Sequence, residues 1–111
     1  MRKTRRNAAA AAHPERHVIT LVVHLPITKL DALDAIAFAA DGVVEGAGTA
    51  FPRVPLGPSA WAEVELPRFG EPPPFAIDVW STASLTDAAD QAERLRAALE
   101  RLGWRVRISA L

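Results

Sequence analysis

Phe75-Ala76-Ile77-Asp78-Val79-Trp80-Ser81 reads with a period of two, and soon after it the period changes: Ala88, Ala92, Leu95, Leu99 and Leu102 recur at alternating spacings of four and three. The first pattern is that of a strand burying one face. The second is an amphipathic helix, capped by Ser84 or Thr86 and ended by Gly103. Trp104-Arg105-Val106-Arg107-Ile108 then alternates apolar and basic residues, as an amphipathic strand does.

Upstream, Trp61-Ala62-Glu63-Val64-Glu65-Leu66 alternates cleanly, with Ala62, Val64 and Leu66 on the inward parity. The proline- and glycine-rich stretch Pro67 to Pro74 makes it a hairpin partner of the 75–81 strand. Placing Leu66 opposite Phe75 sets Trp61 across from Trp80 and Glu63 across from Asp78. The aromatic pair is worth roughly 0.2 to 1 kcal/mol. The acidic pair is unfavourable unless the register differs or a cation neutralises it.

Further upstream, His17 to Leu25 is β-branched and nearly apolar on both parities, as a central strand is, and Pro26 closes it. Thr28 followed by Asp31 is a helix start, and Gly42 a helix stop; Leu30, Leu33, Ile36, Ala37 and Ala40 form the apolar stripe between them. Asp31, Asp34 and Asp41 gather opposite, with Phe38 among them. Gly42 to Phe51 has strand character weakened by glycine and reads as an irregular or bulged edge strand. Pro52, Pro55 and Pro58 then favour an extended excursion without hydrogen bonds.

Strand, helix, one or two strands, strand, helix and strand close most simply as an α+β ferredoxin-like split βαβ sandwich. Its order is β-α-β-β-α-β with room for an extra strand, and both helices lie on one face of an antiparallel sheet. The chain of 111 residues has the size of one domain. Residues 1–16 read as a disordered basic arm and residues 17–111 as a single α+β domain. With no cysteine, the fold has no disulfide, thiolate metal site or cysteine nucleophile to draw on. Abundant alanine, arginine and proline suit a GC-rich bacterial genome. The basic start is followed by too short an apolar run for a secretory core, and no run approaches a membrane span, so the cytoplasm is the expected location.

The formal charge is zero, but Arg2, Lys3, Arg5 and Arg6 fall in the first six positions. From residue 7 onward nine bases face thirteen acids, a balance of −4. Such a body repels phosphate, so contact with nucleic acid is expected only through the tail. The structured topology supports RNA binding in other proteins through central-strand aromatics, but here only Trp80 would serve, opposed by Asp78, Glu63 and Glu65.

With Ile19, Leu21 and Val23 facing the helices, the open sheet face carries Val18, Thr20, Val22, His24, Trp61, Glu63, Glu65, Asp78, Trp80, Arg105 and Arg107. Two tryptophans and two valines ringed by arginines mark an interface, and the leading expectation is a non-catalytic interaction module. Its contacts would be Trp61, Trp80, Val22, Arg105 and Arg107, and its partner a second copy, as a homodimer, or another protein. The bland alternative is that the proline excursion folds over this face. A different class of function places His24 and Asp78 as diagonal neighbours, an Asp-oriented general base inside a dimeric ligand-binding or catalytic site. No nucleophile or metal-ligand set accompanies them at recognisable spacing, so neither a cofactor nor a metal is expected. His13 and His17 are separated by Pro14 at a domain boundary. Gly46 and Gly48 lack the third glycine of a dinucleotide fingerprint, Phe51 standing there instead. The proline triplet lacks the basic flank of a groove ligand and reads as a stiff loop.

Overall fold

The computed structural model describes residues 16–66 and 74–109. The basic arm with Arg2, Lys3, Arg5 and Arg6, the residue His13, and most of the Pro67 to Pro74 connection lie outside them. The elements run β1 (His17–Val23), α1 (Lys29–Ala40), β2 (Val54–Gly57), β3 (Ala60–Glu65), β4 (Phe75–Ser81), α2 (Leu85–Arg101) and β5 (Val106–Ile108). The five strands form one antiparallel sheet in the order β2-β3-β4-β1-β5.

Period two decides which face of the sheet is covered. Leu21 and Val23 of β1, Ala62 and Val64 of β3, and Phe75, Ile77 and Val79 of β4 are buried beneath the helices. α1 lies against β2 and β3, and α2 against β1, β4 and β5. Their core contributions are Ala32, Leu33, Ile36 and Ala37 from α1, and Ala88, Ala92, Leu95, Ala98 and Leu99 from α2. At the far edge, Trp104 meets Phe75 edge-on with ring centroids 6.1 Å apart.

Both helix starts follow the sequence reading. The Thr28 hydroxyl accepts the Asp31 N–H at 3.1 Å, and the Ser84 hydroxyl accepts the Asp87 N–H at 2.9 Å. Ser84 is therefore the cap, not Thr86. The end of α1 differs from expectation, because Asp41 and not Gly42 takes the left-handed conformation at φ 56°. Leu30 also differs: burial at 32, 33, 36 and 37 turns the helix so that its alanines approach the sheet, and Leu30 is left 63% exposed. Leu102 lies past the last helical residue, as the C-cap, and is exposed.

The edge strand is displaced from the expected 42–51. Gly46 and Gly48 adopt φ of 72° and 84°, which no strand accepts, and the chain turns at Gly46–Thr49. Only an isolated bridge between Glu45 and Arg53 forms there. Pairing begins at Val54, within the proline stretch, where Val54 faces Ala62 and Pro55 faces Trp61. An edge strand tolerates Pro55 because its outer side needs no N–H, and a register shift between Pro55 and Gly57 fits the strand to its turn.

Candidate functional site

The register aligns the uncovered face in rows across the sheet. Pro55, Trp61, Trp80 and Val18 form one row; Glu63, Asp78 and Thr20 the next; Glu65, Ala76, Val22 and Arg107 the third. Most of these residues are half-buried with no described helix above them, while Glu65 and Arg107 are exposed.

Each of the two tryptophans on this face carries a guanidinium. Arg16 lies 4.3 Å from the Trp80 ring centroid and Arg53 lies 4.8 Å from that of Trp61. Arg53 is also 3.9 Å from the Glu45 carboxylate across the bridge. The face is thus partly roofed by the chain's own arginines, a feature the sequence reading did not anticipate. Recognising Val54–Gly57 as a strand paired with β3 would have brought Arg53 beside Trp61.

Glu63 and Asp78 stand directly opposite, as the sequence reading required. Neutral donors serve both: the Trp61 indole N–H donates to Glu63 at 2.8 Å and the Thr20 hydroxyl donates to Asp78 at 2.7 Å. The Trp80 indole N–H is shielded from solvent and has no acceptor among the described residues. Leaving such a donor unpaired costs about 1–3 kcal/mol.

The structure does not bring His24 and Asp78 together. The ladder between β1 and β4 ends at Val23 and Phe75, so His24 falls beyond the strand and is exposed, while Asp78 is opposite Thr20. Arg107 joins the third row, and Arg105 precedes β5 as an exposed residue. The basic residues of the tail, Arg2, Lys3, Arg5 and Arg6, are outside the described residues. No group of three or more His, Cys, Asp or Glu positioned to hold a metal occurs among the described residues. No described helix is long and apolar enough to cross a membrane.

A serine, an aspartate and a histidine do gather elsewhere, at the start of α2. Ser81 is paired in register with His17, and its hydroxyl donates to Asp87 at 2.7 Å. The same oxygen accepts the Ala83 N–H at 3.0 Å, and Ser81 is fully buried. A nucleophile needs an approach and a base; this hydroxyl has no exposed surface and gives its proton to a carboxylate that fixes the strand-to-helix joint. Its role is structural.

No protein-family profile, curated protein or solved structure matches this chain.

Proposed function

We propose that this chain is a non-catalytic interaction module of ferredoxin-like architecture, with β2 as an added edge strand, and that it pairs with a second copy through the uncovered sheet face. The order β3-β4-β1-β5 within the five-stranded sheet supports a split βαβ arrangement with β2 added at its edge.

The observation that carries this reading is the row Glu65, Ala76, Val22, Arg107. It has an acid at one end, a base at the other and two small or apolar side chains between. A twofold axis parallel to the strands, running between β4 and β1, lays β3 of one copy over β5 of its partner. Heights along the strands are preserved, so each Glu65 meets an Arg107 and each Ala76 meets a Val22. An isologous contact of this kind needs a surface complementary to itself, and the row supplies one. Stacked sheets of aligned strands approach to about 10 Å, which small central side chains permit.

The tryptophan row adds the apolar area. Trp80 of one copy comes over Val18 of the other, and a change in the position of Arg16 would let the Trp80 N–H find an acceptor. Acids along β3 and β4 disfavour a phosphate chain on this surface. Sedimentation equilibrium of the full chain tests the reading: a mass of about twice the 12.0 kDa chain at micromolar concentration supports it. A monomer at all concentrations removes the second copy as partner.

A further inference from the structure

On the opposite, helix-covered side of the sheet, the end of α1, strand β2 and the exposed flank of α2 line a half-open cavity of about 430 Å³. That volume lies within the range of small-molecule sites. Ala40, Leu56 and Leu95 give it an apolar lining, and Gln91, Arg94 and Arg101 give it polar groups from one flank of α2.

The charges on α2 are divided in a telling way. Arg96 does not line the cavity and is held by both Glu93 and Glu100. Among the described residues, Arg94 and Arg101, which do line it, have no carboxylate within ion-pair distance. The carbonyl end of α1 brings about half a negative charge to the cavity. Asp41, which caps that helix, is not part of the lining. Two guanidiniums and no carboxylate are among the lining groups.

An apolar lining with uncompensated guanidiniums is complementary to an apolar molecule bearing a carboxylate, since arginine presents a planar fork matched to that group. We infer that this cavity binds an aliphatic carboxylate, its chain against Ala40, Leu56 and Leu95 and its carboxylate on Arg94 or Arg101. Those two arginines are seven residues apart, about 10 Å along the helix axis, so either can serve a chain lying in the cavity. The site is on the other side of the sheet from Trp61 and Trp80, and it does not depend on the pairing of copies.

Titration of the full chain with octanoate, followed by amide NMR, tests the inference. Saturable shifts should cluster at residues 39–40, 56 and 91–101, with acetate and octan-1-ol at least about tenfold weaker, the equivalent of 1.4 kcal/mol. Replacing both exposed arginines, Arg94→Gln with Arg101→Gln, should weaken octanoate by about tenfold or more. Ala97→Leu should weaken octanoate by taking up part of the cavity, with the amide spectrum retaining the native dispersion. Octan-1-ol binding as tightly as octanoate, an unchanged affinity in the double glutamine variant, or no saturable shifts in this cluster would each overturn the inference.

Discussion

Trp61 and Trp80 face one another across β3 and β4, and each ring carries a guanidinium from outside that strand pair: Arg53 over Trp61 and Arg16 over Trp80. The two stacks hold the start of β1 and the entry to β2 against the uncovered face. Each is worth about 0.5–1 kcal/mol where water still reaches it. Arg53→Ala is expected to lower stability by roughly that amount and to alter tryptophan emission. Urea unfolding followed by fluorescence checks both; unchanged values would mean that the stack contributes nothing in solution.

Ser81 joins β4 to α2. Ser81→Ala removes the donor to Asp87 and the acceptor of the Ala83 N–H within a fully buried site. The expected cost is about 1–3 kcal/mol, because groups left behind lose their partners. Ser84→Ala, which removes only the N-cap, should cost about 1 kcal/mol. Chemical unfolding of the two variants gives the order, and a Ser81→Ala protein as stable as the parent would contradict the joint.

Asp41 places a negative charge at the carbonyl end of α1, whose last turn has no basic residue. Asparagine tolerates the same left-handed backbone and carries no charge. Asp41→Asn should therefore stabilise the protein by about 0.3–1 kcal/mol at low salt. Thermal unfolding at low and high ionic strength checks this, the gain shrinking as salt screens the charge.

Glu93 accepts hydrogen bonds from Arg96, which holds its carboxyl below the ordinary value of 4.5. A depressed carboxylate contributes stability that is present above its unfolded value and is lost as pH falls through the folded one. Glu93→Gln should thus reduce stability at neutral pH and flatten its fall in acid. The pair is exposed, so the effect is small and sensitive to salt. Denaturation midpoints measured from neutral pH into acid distinguish the two slopes.

Much of the sheet was legible because parity is a strict signal. The expectation that Leu66 meets Phe75 correctly set Trp61 against Trp80 and Glu63 against Asp78, since a one-residue slip would have exposed Ala62, Val64 and Ile77. The edge strand was not legible. Pro52, Pro55 and Pro58 argue against pairing anywhere but at an edge, whereas Gly46 and Gly48 leave Val43 and Val44 looking strand-like until their backbone angles are known. Leu30 was misplaced because hydrophobic spacing ranks leucine above alanine, while close packing of a helix on a sheet favours Ala32. Of the candidate site, the Trp61 and Trp80 row was readable from register; the arginines over it were not, because Arg16 and Arg53 sit where sequence patterns read a flexible arm and a loop. His24 was placed beside Asp78 by assuming a register between β1 and β4 that the ladder does not have: Thr20 is opposite Asp78, and His24 lies four residues further along, past the end of β1.

The central claim is that the uncovered face recognises itself through Glu65 and Arg107, and a charge exchange tests it most directly. Both residues are exposed, so neither substitution should disturb the fold. Sedimentation equilibrium of Glu65→Arg, Arg107→Glu and the double variant should give weakened dimers for each single change and restored association for the double. Dimers of equal strength in all four proteins, or a double variant no better than either single, would contradict the claimed pairing of β3 with β5.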